Sequence, residues 1–345
     1  MANTTRHKKL VEDIGGWIKV YDDGTVERSP PPPEASQLAT AIAPYDVPRD
    51  GVTVHDIPSN PPLRLYLPEA APPAGRRLPV LLHFHAGVFC LSDPTWSLYH
   101  GFYARLAASI PIAGIVSITL PLAPEHPLPA AIDAGFAAID WLNSLAQPGL
   151  LPEPAGRLKA VADLSRVFLI GDSNGANLVH HVAAGFTSAE RGQVRLAGAI
   201  LLNPGFSRST PSRSESAEVQ VDPYMDYKMV DRFLALALPK GATRDHPYIW
   251  PVGDDAAAAA LAVPPLLVSV ATLDTMRDRQ VEYCNVMRRG GKDVEVAQSP
   301  GVGHMFYLNQ GAPGPADGEA AARVAELIEA IGGFVGRRHG CVARM

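Results

Sequence analysis

Cysteine is scarce in this chain. Its three residues, Cys90, Cys284 and Cys341, are an odd number and lie far apart, which favours neither a disulfide framework nor a zinc site. We therefore expect reduced thiols.

The chain also lacks a large excess of charge of one sign and a long apolar run. The net charge is −5 at neutral pH, and the 30 basic residues form no long run, so a nucleic-acid partner is not expected. No apolar segment follows residues 1–10, as it would in a secretory signal. The longest apolar stretch, residues 261–273, is interrupted by Pro264 and Pro265 and is too short to span a membrane. These absences predict a cytoplasmic protein without a membrane partner.

Apolar residues, by contrast, are plentiful. They make up 47% of the chain, against 19% charged residues, and the mean hydropathy is +0.03, which is typical of a globular protein with a large core. A chain of 345 residues could form two average domains, but large α/β enzymes often keep this length in one. We predict a single domain over residues 1–345.

Short β-branched and apolar runs alternate with helical patterns from Val52 onward, which is typical of βαβ units around a parallel sheet. Several of these runs are apolar on both faces, as buried parallel strands are. Residues 130–145 and 227–238 have helical spacing. We predict an α/β fold with a mostly parallel eight-stranded sheet and helices on both faces. The predicted strands are Val52–Ile57, Leu63–Leu67, Pro79–Phe84, Gly114–Thr119, Arg166–Ile170, Ala197–Leu202, Leu266–Ala271 and Val294–Gln298.

Two segments lie outside this alternation. Residues 1–45 combine a helical pattern over Lys9–Val20 with four prolines, Pro30–Pro33, which can continue neither a helix nor a ladder. An insertion of about 60 residues separates the predicted strands that end at Leu202 and begin at Leu266, which exceeds an ordinary connection. We interpret residues 1–45 and 206–250 as elements of a helical lid on the single domain.

The most specific motif is Gly171-Asp172-Ser173-Asn174-Gly175, a G-x-S-x-G between a predicted strand and a helical segment. In a nucleophile elbow the sharp turn leaves room only for small residues on either side of the serine. The following helix N-terminus points at developing negative charge. This context predicts an α/β-hydrolase fold with Ser173 as the nucleophile.

A serine hydroxyl needs a histidine base and an acid that orients it, and in this fold they follow in the order serine, acid, histidine. Asp274 and His304 each follow a later predicted strand, His304 in a glycine-rich loop. All three residues therefore lie beyond carboxyl ends of parallel strands, where such sheets bind ligands. Asp278 is the competing acid, but we expect it to cap a helix or bind a neighbouring loop.

With these residues, the sequence resembles plant carboxylesterases of the hormone-sensitive-lipase group, the family that also contains the gibberellin receptor. The resemblance covers nearly the whole chain and implies an α/β-hydrolase fold, a small-molecule ester substrate and no metal or organic cofactor. The matching segments are Glu12–Tyr21, Leu122–His126, Pro129–Ala131, Gly171–Asn177, Asp274 with Arg277 and Asp278, and Gly303–His304 with Phe306 and Tyr307.

The loop after the third strand departs from this family. Relatives carry His-Gly-Gly-Gly, whereas this chain reads His85-Ala86-Gly87-Val88. The resemblance implies that the backbone N–H groups of Gly87, Val88 and Asn174 form the oxyanion hole. A β-branched residue resists positive φ, so the valine at position 88 constrains the conformation of this loop. We expect the hole to persist, with the valine narrowing the acyl side of the pocket. A second departure, Thr119-Leu120-Pro121 where relatives read Asp-Tyr-Arg, removes an arginine anchor.

The leading prediction is hydrolysis of a small hydrophobic ester, since the insertion carries Phe206, Tyr224, Phe233 and Trp250. Two alternatives stay open. Relatives of this type eliminate water or a carboxylate from plant metabolites, and elimination needs the base more than the oxyanion hole. The gibberellin receptor binds a hormone, but it lacks the catalytic histidine, whereas His304 is present here.

Overall fold

Residues 8–28, 36–70, 72, 75–149, 151–187, 192–216, 227–308 and 317–338 are described by a computed structural model. Tyr224, Cys341 and parts of both predicted lid segments lie outside these residues. The strands are β1 (Leu10–Ile14), β2 (Ile18–Tyr21), β3 (Val26–Arg28), β4 (Tyr45–Arg49), β5 (Val52–Ile57), β6 (Leu63–Pro68), β7 (Leu78–Phe84), β8 (Gly114–Ile118), β9 (Ala162–Asp172), β10 (Leu196–Leu202), β11 (Leu266–Ala271) and β12 (Val294–Ser299). The helices are α1 (Ser97–Ser109), α2 (Ala130–Ser144), α3 (Glu153–Val161), α4 (Asn174–Ala184), α5 (Tyr227–Ala237), α6 (Asp255–Ala260), α7 (Arg277–Arg289) and α8 (Asp317–Arg337).

Among the described residues, the large sheet has nine strands in the order β12-β11-β10-β9-β7-β8-β6-β5-β4. The strands from β7 to β12 pair in parallel, whereas β4, β5 and β6 add antiparallel pairs at one side. All eight predicted strands are present, and the ninth is β4. Sequence pattern missed it because four of its five residues are exposed and it contains Pro48, which sheets accept at an edge.

Two apolar core clusters cover the two faces of this sheet. One contains residues of α2, α4 and α7, and the other contains residues of α1 and α8. Strand β7 contributes residues to both clusters, since Val80 and Leu82 belong to the first cluster and Leu81 belongs to the second. Successive side chains of a strand point to opposite faces, which explains why the central strands are apolar throughout. The prediction of helices on both faces is confirmed.

The N-terminal segment corrects one prediction. The helix predicted over Lys9–Val20 is wrong, because strands β1, β2 and β3 form a separate antiparallel sheet. Gly15 and Gly16 form the turn with φ of 56° and 75°, a conformation that favours glycine. Ile14 pairs with Ile18 across the hairpin, and with Trp17 they reproduce the three- and four-residue spacing of a helix. The part of the predicted lid that comes from this segment is therefore β-structure.

The inserted segment contains α5, which matches the helix predicted over 227–238. Phe206 and Phe233 are fully buried in a core cluster together with Ile14 and Ile18 of the N-terminal sheet. These two aromatic residues therefore belong to the core of the protein. None of the helices within the described ranges is long and apolar enough to cross a lipid bilayer.

Candidate active site

Ser173 lies in the turn between the end of β9 and the start of α4, with a φ of 50°. A side chain at Gly171 would overlap the carbonyl of Gly175, and one at Gly175 would overlap the carbonyl of Phe84. These overlaps explain why the turn requires small residues two positions before and after the serine. The motif has the strand, turn and helix context of a nucleophile elbow.

His304 connects Ser173 and Asp274 by hydrogen bonds. Its Nε2 atom is 2.9 Å from Ser173 Oγ, and its Nδ1 atom is 2.8 Å from Asp274 Oδ2. Since an ionised carboxylate only accepts, Nδ1 carries the proton and Nε2 is left to accept from the serine hydroxyl. The structure thus brings the three side chains together, and Ser173 and Asp274 are only 6% and 2% exposed.

Two further donors fix the Asp274 carboxylate. The side-chain amide of Gln280 donates to Oδ2 at 2.8 Å, and the backbone N–H of Met276 donates to Oδ1 at 2.9 Å. The same Gln280 nitrogen also donates to the Pro204 carbonyl at 3.1 Å. Sequence reasoning missed Gln280, because a lone glutamine six residues after the acid belongs to no motif.

Asp278, the competing acid, binds a neighbouring loop as expected. Its Oδ2 atom accepts from the backbone N–H of Ser214 at 2.8 Å, and its own N–H donates to Ser214 Oγ at 3.1 Å. This reciprocal pair ties the segment before residue 217 to the start of α7, while Asp274 contacts the histidine.

The loop after β7 makes a left-handed turn. Gly87, Val88 and Phe89 have φ values of 115°, 50° and 61°, and the N–H groups of Cys90 and Leu91 donate to the Gly87 carbonyl at 3.0 and 2.9 Å. A side chain at Gly87 would overlap the Leu91 carbonyl. Positive φ at a residue other than glycine costs about 1–2 kcal/mol, so Val88 is strained.

Burial offsets the strain of Val88. Its side chain is 5% exposed and belongs to the core cluster that contains Phe89 and Cys90. Burying a valine side chain contributes roughly 1.5–3 kcal/mol, which is comparable with the backbone strain. Within the described part of the chain, the N–H groups of Gly87, Val88 and Asn174 donate to no other protein group. They are the three backbone donors that the family resemblance assigns to the oxyanion hole.

His85 joins this loop to the segment in which relatives carry an arginine. Its Nδ1 atom donates to the Ala86 carbonyl at 2.8 Å, and Nε2 accepts from the Leu120 N–H at 3.4 Å. Burial lowers the pKa of His85 to about 4, so the ring is neutral at physiological pH and can both donate and accept. The imidazole therefore links the loop to residues 119–121.

A buried cluster lies directly beneath the elbow, around Asp172. Its carboxylate accepts hydrogen bonds from His83 Nε2 at 2.7 Å, from the Tyr103 hydroxyl at 2.9 Å and from the Tyr307 hydroxyl at 2.8 Å. The other His83 nitrogen is 2.6 Å from Ser117 Oγ. Desolvation raises the pKa values of Tyr103 and Tyr307 well above that of a free tyrosine, so both hydroxyls stay protonated as donors. Asp172, the residue before Ser173, is thus hydrogen-bonded to Tyr307 in the loop that carries His304.

The chain is similar to known proteins both in sequence and in structure. The sequence profile of a family described as alpha/beta hydrolase fold matches residues 81–308. The Arabidopsis thaliana protein named probable carboxylesterase 6 is 35% identical over 314 residues, which cover 89% of this chain and 87% of that protein. The crystal structure of DphMB1 matches with a TM-score of 0.65 and 26% identity, over 86% of this chain and 88% of that one.

A second relative has a different reaction in its name. The 2-hydroxyisoflavanone dehydratase of Glycyrrhiza echinata is 34% identical over 322 residues, which cover 89% of this chain and 93% of that protein. Proteins similar to this one over most of their length thus carry the names of both an esterase and a dehydratase.

Proposed function

This chain belongs to the alpha/beta hydrolase family, in the group of plant carboxylesterases, and from that premise we propose that it hydrolyses a small hydrophobic carboxylic ester. The observation that carries the proposal is the hydrogen-bond chain from Ser173 through His304 to Asp274, with contacts of 2.9 and 2.8 Å. Proximity of this kind is what activates a serine for attack on a carbonyl.

In the proposed mechanism, Ser173 Oγ attacks the ester carbonyl while His304 Nε2 accepts the hydroxyl proton. His304 then gives that proton to the departing alcohol, which leaves an acyl group on Ser173. A water molecule, deprotonated by His304, attacks this acyl-enzyme and releases the acid. Asp274 holds the tautomer and stabilises the imidazolium charge.

The oxyanion of each tetrahedral intermediate is assigned to the backbone N–H groups of Gly87, Val88 and Asn174. The support is that these groups have no protein acceptor in the described chain and that Gly175, in the first turn of α4, packs against the carbonyl of His85. Such fixed donors stabilise the charge as it develops. The mechanism calls on no metal or organic cofactor.

We also propose that residues 1–345 form one domain located in the cytoplasm, with residues 1–45 and 206–250 as a cover over the site. The contact between the N-terminal sheet and α5 supports a shared cover, because Ile14 and Phe233 lie in one core cluster.

One experiment tests the reaction directly. The purified protein is treated with an active-site fluorophosphonate and, separately, with an aryl acetate, and Ser173→Ala serves as the control. Labelling at Ser173 together with serine-dependent turnover is the expected result. Absence of both, with the protein folded, would contradict the proposal and favour a hormone-binding role.

Elimination is the second candidate, and two observations favour it. One relative is a dehydratase, and Val88 strains the loop assigned to the oxyanion hole. A lyase would retain the labelled serine and the base but would not turn over simple esters. Labelling without ester hydrolysis, followed by dehydration of a 2-hydroxyisoflavanone in the same preparation, would support this candidate.

A further inference from the structure

Arg28, the last residue of β3, extends from the N-terminal sheet to the loop after β7. Its Nε atom donates to the Cys90 carbonyl at 2.8 Å, and Nη2 donates to the Ala123 carbonyl at 2.8 Å. Nη1 and Nη2 also form a bidentate pair with the Glu125 carboxylate at 2.6 and 2.7 Å. One guanidinium group therefore binds acceptors on three residues, which lie 62 to 97 residues further along the chain.

The acceptors belong to the strained turn and to its direct support. Cys90 closes the left-handed turn, since its N–H donates to the Gly87 carbonyl at 3.0 Å. Ala123 donates from its N–H to the Phe89 carbonyl at 2.9 Å. Arg28 thus binds the end of the turn and the residue that supports its middle, while Val88 lies between them at positive φ.

The ion pair between Arg28 and Glu125 contributes little by itself to the position of the turn. The Arg28 and Glu125 side chains are 27% and 39% exposed, and ion pairs at that exposure contribute little. The two carbonyl contacts are more informative, because a planar guanidinium presents donors in a fixed arrangement that a lysine ammonium does not reproduce. Arg28 is therefore suited to fix a backbone conformation.

We propose that Arg28 is a positioning residue, which holds the turn of Gly87–Cys90 in the conformation that presents the oxyanion N–H groups. The inference rests on the proposed esterase function, since an oxyanion hole has a purpose only in acyl transfer. The N-terminal sheet then acts on the chemistry through this one side chain, besides covering the site.

Steady-state hydrolysis of an aryl acetate by Arg28→Met is the first test. We expect kcat to fall by about tenfold to a hundredfold with a KM change under about threefold, because misplaced donors affect the transition state more than substrate binding. Arg28→Lys should be intermediate. Guanidinium ion at millimolar concentration should restore part of the kcat lost in Arg28→Ala.

Glu27→Gln is the matched control in the same strand. Glu27 binds Lys8 and the Tyr21 hydroxyl within the N-terminal sheet, so its loss weakens that sheet without touching the turn. Equal losses of kcat in Glu27→Gln and Arg28→Met would overturn the proposal, and so would a full wild-type kcat in Arg28→Lys.

Amide hydrogen exchange of residues 86–91 gives a readout that does not depend on substrate. Arg28→Met, and to a smaller extent Glu125→Gln, should increase exchange in this segment, while Glu27→Gln should leave it unchanged. Unchanged exchange in Arg28→Met would overturn this inference even if the wild type is an active esterase. An inactive, unlabelled wild type with the expected exchange would instead contradict the proposed function alone.

Discussion

The two halves of the candidate site are built in different ways. On one side, Ser173, His304 and Asp274 are side chains at the ends of packed strands, and Gln280 and Met276 fix the acid with donors of their own. On the other side, the assigned oxyanion donors are backbone groups, two of them on a turn that forces Val88 to a φ of 50°. The first half depends on residue identity, and the second on backbone conformation.

The largest expected effect tests the side-chain half. Asp274→Asn should lower kcat by about four orders of magnitude, because the amide donates where the carboxylate accepts and leaves His304 in the wrong tautomer. Asp278→Asn is the matched control and should keep nearly full activity, since Asp278 binds Ser214. Steady-state kinetics of both variants, with circular dichroism to check folding, makes the measurement. A larger loss in Asp278→Asn would show that the acid is misassigned.

The next effect tests the backbone half. Gly87→Ala places a methyl group against the Leu91 carbonyl at a φ of 115° and should lower kcat by about two to three orders of magnitude through loss of oxyanion donors. Gly291→Ala is the control, because Gly291 also has positive φ but would place its methyl group in open space. If both variants kept wild-type kcat, the turn would have no part in the chemistry.

A smaller effect is expected when a hydrogen bond that orients the Asp274 carboxylate is removed. Gln280→Met removes the hydrogen bond from the side-chain amide to the Asp274 carboxylate. A hydrogen bond to a charged group typically contributes about 1.5–3 kcal/mol. Only part of this contribution stabilises the transition state in particular. We expect kcat to fall about tenfold with KM nearly unchanged. A change in KM alone would mean that Gln280 shapes the pocket instead of orienting Asp274.

The smallest effect is expected from Val88→Gly, which removes both the backbone strain of Val88 and the burial of its side chain. Val88→Gly relieves about 1–2 kcal/mol of strain but loses roughly 1.5–3 kcal/mol of burial. Thermal unfolding should therefore show a slightly lower Tm, while turnover of bulky-acyl esters should rise several-fold relative to acetate. An intact variant with no such rise would exclude the valine as the limit on acyl size.

Most of the fold was predictable from sequence, and so was the proximity of Ser173, His304 and Asp274, while their catalytic roles stay a prediction. Buried parallel strands produce continuous apolar runs, and G-x-S-x-G in its strand context identified the turn at Ser173. The errors have physical causes. The hairpin around Gly15 and Gly16 brings Ile14, Trp17 and Ile18 together at helical spacing, so periodicity alone favoured a helix.

The supporting residues could not be predicted, because their partners are distant in sequence. Arg28 meets Cys90 and Glu125 only when the N-terminal sheet has docked. The φ of Val88 is equally hidden, since the sequence shows that a β-branched residue is present but not the conformation that the surrounding hydrogen bonds impose on it.

The contacts of the Asp172 carboxylate also lead to an expectation about refolding. Its three partners lie 69, 89 and 135 residues away along the chain, and contacts of such separation form late, after the loop-closure entropy has been overcome. We therefore expect Ser173 and the loop of His304 to reach their final arrangement only after α1 and β7 have docked. If the proposed esterase function holds, turnover should return only in the final phase of refolding and would then report the completely assembled chain.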